Sequence, residues 1–232
     1  MYSYYLFDFD YTLVDSSEGI VGCFTRTLEQ LGRPPVPADN ITRTIGLPMP
    51  VAVGQILGTD DDAVISDFIN RYKVFADEYM TPGTHFFPST MKTLSALHAA
   101  GKHIAIISSK TSSRIQEKFD RDGGAELIDF IIGNLEIKNL KPDPEGILLA
   151  LSRFGAEKSE AIYVGDNIVD AQAAQNAGID FAGVTTGTTK KEQLSSYPHI
   201  SIMDDLSMLL KLLSGKRKLD TQGVKIGQHS PV

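Results

Sequence analysis

The stretch FDFDYTLVDS, residues 7 to 16, places two carboxylates, Asp8 and Asp10, at the end of an apolar run. Side chains two apart on an extended segment point the same way. Two acids held together repel, and a divalent cation removes the repulsion. Taken alone, Asp-x-Asp at a strand end reads equally well as a turn signal. In IISSK, residues 106 to 110, Ser108 and Ser109 follow a second apolar run. Hydroxyls and backbone N–H groups there can hold phosphate oxygens, although serines in that place also start helices. In LKPDPEGIL, residues 140 to 148, Lys141 stands just before a proline that leads into a helical pattern, a place where a lone lysine is ordinarily a surface residue. YVGDNIVDAQAAQNAG, residues 163 to 178, ends an apolar run in Gly165, follows it with Asp166, and adds Asp170 at the start of an alanine-rich helix. Two acids in a first helical turn can be dipole partners only, but the spacing is also that of a metal site.

These residues need elements to bring them together. Apolar runs that read as short buried strands recur at 4 to 9, 103 to 107, 129 to 132, 161 to 164 and 180 to 184, each followed by polar or Gly-rich residues. Helical patterns lie between them, with Met91, Leu94 and Leu97 after Ser89, and Ile147, Leu148 and Leu151 after Pro144. Alternation of strand and helix predicts an α/β fold with a parallel sheet covered on both faces. In such sheets ligands collect outside the carboxyl ends of the strands, where the polar stretches fall. Residues 16 to 81 break the rhythm: Ile20, Val21, Phe24, Leu28 and Leu31 keep one helical period, and Ile65, Phe68, Ile69, Tyr72, Phe75 and Tyr79 another, with Thr59 and Asp62 as a start signal. They read as an all-helical insert after the first strand. The expected division is a core of residues 1–15 and 82–214, an insert of 16–81, and a polar tail of 215–232.

Composition narrows the class. The 232 residues are 42% hydrophobic, enough for a sizeable core, and 22 Lys+Arg against 29 Asp+Glu give a net charge of −7. That charge, with no basic cluster beyond GKRK at 215 to 218, argues against a nucleic-acid partner. No apolar run approaches the ~20 residues of a membrane span, so no membrane partner is expected. The single cysteine, Cys23, excludes an intramolecular disulfide and reads as a buried small hydrophobe, and a cytoplasmic location is expected. Nothing in the sequence sets an oligomeric state.

Taken together, DFDYTLVDS, IISSK, Lys141 and GDNIVD resemble, in that order, the four motifs of the haloacid dehalogenase-like superfamily, over about Tyr4 to Leu213. The helical insert resembles the small cap found in its phosphoglycolate phosphatase, pyrophosphatase and beta-phosphoglucomutase branch. Tyr11 stands where the family commonly has Gly, and Asn167 where it often has Ser or Thr. The resemblance implies a Rossmann-like core and a Mg2+-dependent phosphatase of a small phosphorylated metabolite. By it, Asp8 is the nucleophile that forms an aspartyl phosphate, and Asp10 is the acid and base. Magnesium falls to the Asp8 carboxylate, the Asp10 carbonyl and Asp166, supported by Asp170. Lys141 and Ser108, with Ser109 beside it, orient the transferring oxygens, and Thr12 fixes the loop through its hydroxyl.

Other readings weigh less. A phosphomutase or pyrophosphatase would share the core, but EGIVGCFTRTLEQ lacks the His-containing stretch associated with the mutases. A scaffold protein would be expected to have lost Asp8, Asp10 or Lys141, and true dehalogenases lack the second Asp. Phosphoglycolate, pyrophosphate, sugar phosphates and nucleotides all remain open as substrates. Within the insert, TRTIGLPM, residues 42 to 49, puts Arg43 before a Gly-Leu-Pro turn that could approach an anionic leaving group. Equally, Gly46 could end one helix and Pro48 begin the next.

Overall fold

A computed structural model describes residues 2–213, and the expected tail over 215–232 lies outside them. In chain order the strands are β1 (Tyr4–Phe7), β2 (Val14–Asp15), β3 (His85–Phe86), β4 (His103–Ile107), β5 (Phe130–Ile132), β6 (Ala161–Gly165), β7 (Asp180–Val184) and β8 (Ser201–Met203). The α-helices are α1 (Ser17–Gln30), α2 (Ala38–Thr42), α3 (Met49–Leu57), α4 (Asp62–Tyr79), α5 (Thr90–Ala99), α6 (Ser112–Asp122), α7 (Glu145–Phe154), α8 (Ile168–Ala177), α9 (Lys191–Leu194) and α10 (Leu209–Leu213).

Six strands form one sheet in the order β5-β4-β1-β6-β7-β8, with every neighbouring pair parallel. A parallel sheet is buried on both faces, which is why its strands are nearly continuous apolar runs. Tyr5, Phe7, Ile104, Ile106, Ile162 and Val164 face one core, with Leu94 and Leu97 of α5 and Ile115 and Phe119 of α6. Leu6, Ala105, Ile107 and Tyr163 face the other, against Ile147 and Leu151 of α7 and the alanines of α8. The side chains of β1 alternate between the two cores, as strand geometry requires.

Register carries the site. Phe7 pairs with Ile106 on one side and Val164 on the other, so β4, β1 and β6 end side by side. The Asp8 N–H extends β1 by one bond to the Val164 carbonyl, at 2.9 Å. Beyond Asp8 the chain leaves the sheet, and only an isolated bridge joins Asp10 to Val14. The expected strand over 4 to 9 is therefore shorter than the apolar run, because the chain must turn to begin the insert.

Helices α1 to α4 share a third core that includes Phe24, Leu28, Ile41, Val53, Phe68 and Tyr72. The Phe24 ring lies 5.3 Å from that of Phe68 and 5.1 Å from that of Tyr72. Helix α4 is capped by Asp61, whose carboxylate accepts from the Ala63 and Val64 N–H groups at 2.9 and 3.3 Å. The cap is thus two residues beyond Thr59, the cap of the expected Thr59 and Asp62 pair, and Thr59 instead serves Asp61 by accepting its N–H at 3.2 Å. Pro48 precedes α3 as expected, whereas α2 already ends at Thr42, so Gly46 terminates no helix. The segments leaving and re-entering the sheet region pair antiparallel as β2 and β3, Val14 with Phe86 and Asp15 with His85. An Arg114–Asp77 ion pair also joins α6 to α4.

Candidate active site

Asp8 follows the central strand and is buried, as are Lys141, Asp166 and Asp170. Lys141 Nζ donates to Asp8 Oδ1 at 2.7 Å and to Asp170 Oδ1 at 2.6 Å. One carboxylate oxygen from each of Asp8, Asp166 and Asp170 lies within 4.8 Å of the others. Local structure explains how three acids meet. Asn167 caps α8, its N–H donates to Asp170 Oδ2 at 2.9 Å, and its own side chain accepts from Val169 at 3.3 Å. Gly165 leaves the room: a Cβ there would lie 2.5 Å from the Asp170 carboxylate. Thr12 donates to Asp166 Oδ1 at 3.2 Å, tying the first loop to the last.

Burial pushes the Asp8 carboxyl from its ordinary 3.8 up to about 7; Lys141 opposes the rise, and Asp170 and Asp10 add to it. Burial, then Asp170 and Asp8, raise Asp166 well above the carboxylate range. For Lys141, burial works against the charge, but Asp170 and Asp8 outweigh it and keep the ammonium charged. Three buried carboxylates share this one buried ammonium, a hard-oxygen donor set that fits a divalent cation such as magnesium.

Asp10 belongs to the same loop but not to this cluster of carboxylates. Its two oxygens accept from Lys110 Nζ at 2.8 and 3.1 Å. Lys110 is the ion-pair partner of Asp10 that sequence reasoning passed over in favour of the neighbouring serines, since nothing local in IISSK marks it as turned inward. Ser108 is buried, and its hydroxyl accepts the Lys110 N–H at 3.3 Å. The Ser109 hydroxyl is buried without a hydrogen-bond partner among the described residues. Tyr163 was also unforeseen: its hydroxyl donates to the Ile107 carbonyl at 2.9 Å and lies 3.5 Å from Asp170 Oδ1.

Arg43 is not brought into the cluster. It is exposed at the end of α2, and its side chain has no ion pair or hydrogen bond among the described residues. Three residues on, Gly46 adopts φ 92 and packs against Asn167, whose Nδ2 would be 3.4 Å from a Cβ at that position. The Gly-Leu-Pro turn therefore does approach the site, at the loop that carries Asp166.

A parallel α/β sheet with an acid-and-lysine cluster at its carboxyl edge defines a class of hydrolases that act at strand ends. The chain matches the haloacid dehalogenase-like hydrolase family over residues 5–184 and belongs to it. It is 31% identical over 211 residues to pyrophosphatase PpaX of Bacillus velezensis, covering 91% of this chain and 96% of that one. It is 29% identical over 210 residues to a phosphoglycolate phosphatase of Pseudomonas putida, covering 88% of this chain and 77% of that one. The crystal structure of a Bacteroides fragilis protein described as a haloacid dehalogenase-like hydrolase superposes with a TM-score of 0.87 at 41% identity, over 90% of this chain and 100% of that one. Among the described residues, no helix is long and apolar enough to cross a membrane.

Proposed function

We propose that the protein is a phosphatase of small phosphate esters that works through an aspartyl phosphate on Asp8. The observation that carries this reading is the placement of Asp8, buried at the end of the central strand and 2.7 Å from Lys141, with two further acids beside it. The Asp8 carboxylate attacks phosphorus, the ester oxygen departs, and water later displaces the phosphoryl group from Asp8, so that one difficult step becomes two easier ones. Asp10, in its protonated form and released from Lys110, gives its proton to the leaving oxygen and, as the resulting carboxylate, takes one from the incoming water. Lys141 and Ser108 hold the phosphoryl oxygens by charge and hydrogen bond, which dominate this chemistry.

Magnesium would be held by Asp8, Asp166 and the Asp10 carbonyl, with Asp170 in support, and would supply charge neutralisation at the phosphoryl oxygens. Helices α1 to α4, within residues 16–81, act as a cap, and the described residues of 1–15 and 82–214 form the core. The cap selects the leaving group, because the core residues address only the phosphoryl group. Arg43, exposed and with no polar partner of its side chain among the described residues, is free to meet an anionic leaving group. The free, buried Cys23 suits a cytoplasmic setting. A panel of phosphate esters and pyrophosphate assayed with magnesium, alongside Asp8→Asn, tests the reading. Turnover of at least one ester that is lost in the variant supports it; ester turnover retained by Asp8→Asn overturns it.

A further inference from the structure

Tyr11 separates Asp10 from Thr12 and has φ 60, alone among the described non-glycine residues in the left-handed region. An L side chain adopts that conformation at a cost, and an outlier kept beside catalytic groups points to a function. The loop is held from both sides: the Tyr11 N–H donates to the Val14 carbonyl at 2.7 Å, and the Tyr11 carbonyl accepts from Thr186 Oγ1 at 2.5 Å. Glycine would relieve the strain but would forfeit what the side chain does. The Tyr11 side chain is 7% exposed, and it belongs to the core of the helical insert. The other buried members of that core run from Ile20 to Met80, so Tyr11 enters it from the catalytic loop.

We propose that Tyr11 is a positioning residue that fastens the helical insert to the catalytic loop. The backbone that sets Asp10 and Thr12 and the ring that docks in the insert are one residue, so the loop's shape and the insert's seat over the strand ends are set together. A ring buried between two bodies restrains their relative movement by the apolar area it removes from water.

The test combines hydrogen exchange without substrate and steady-state kinetics on Tyr11→Gly and Tyr11→Phe. The kinetic arm rests on the phosphatase reading; the exchange arm does not, so failure of one is distinguishable from failure of the other. In Tyr11→Gly, exchange of α1 and α4 amides should quicken about tenfold while β1, β4 and β6 keep their protection. KM should rise about tenfold with kcat within about threefold, and Tyr11→Phe should restore both. Should Tyr11→Gly not fold, Tyr11→Leu removes the ring with smaller disturbance and is read the same way. Wild-type exchange and KM in the ring-less variant would overturn the proposal. So would exchange that quickens equally in the strands, which would mark Tyr11 as a stabiliser of the whole fold.

Discussion

Lys110 Nζ reaches both carboxylate oxygens of Asp10, at 2.8 and 3.1 Å, across 100 positions of sequence. Both side chains are almost wholly enclosed, at 11% and 9% exposure, so each is the other's charge partner in a poorly solvated place. Removing one member leaves an uncompensated buried charge, whereas removing both charges does not. Lys110→Met should therefore lower stability by about 3 kcal/mol, and Lys110→Met with Asp10→Asn should recover most of the loss. Urea unfolding of the four proteins checks this; additive losses would show that the pair is not coupled.

The cluster around Asp8 has a definite pH signature. A folded pKa of about 7 against an ordinary 3.8 means that the folded protein holds this proton more tightly than the unfolded chain. That contribution to stability is fully present below the unfolded value and is lost as pH rises through about 7. If magnesium is held by the Asp8 carboxylate, it should restore that stability, so its stabilising effect should be larger at about pH 8 than at about pH 6. Thermal unfolding with and without magnesium at the two pH values checks the sign. An equal shift at both would contradict the placement of the ion on Asp8.

If Asp166 holds the metal, Asp166→Ala removes one of its oxygen ligands, and the magnesium concentration for half-maximal activity should rise by about tenfold or more. The measurement is a magnesium titration of kcat/KM. An unchanged midpoint would take Asp166 out of the metal site.

If Arg43 meets the leaving group, Arg43→Ala should raise KM about tenfold for an ester with a carboxylate or second phosphate, the loss of about one charge-assisted hydrogen bond. A neutral chromogenic ester should be hydrolysed as before. Equal loss on both would indicate a displaced cap, and no loss on either would exclude Arg43.

The fold and the acid cluster were legible because the chemistry sits where apolar runs stop. Asp8 and Asp166 each follow a buried strand, and Asp170 lies one helical turn further, so run-ends and spacing marked them as candidates, and the resemblance of the four motifs in order gave them their roles. The Lys110–Asp10 pair was not legible, because nothing local in IISSK distinguishes a lysine turned inward from a solvated one. The strain at Tyr11 was visible only as a departure from the glycine that the family resemblance leads one to expect there; φ 60 is the physical reason glycine suits that position. Strands β2, β3 and β8 escaped because two or three residues are too few to show alternation. The α4 start was expected two residues early because Thr59 and Asp61 are both competent caps, and only backbone geometry selects between them.

The central claim is that Asp8 carries the phosphoryl group. Acid-quenched enzyme, taken during turnover of a substrate found in the ester panel and digested with protease, should yield the peptide containing Asp8 with the added mass of one phosphoryl group. The adduct should vanish on chase without substrate, and Asp8→Asn should show none. A phosphorylated peptide elsewhere, or rapid turnover with no adduct on Asp8 even when hydrolysis is slowed by Asp10→Asn, would contradict it.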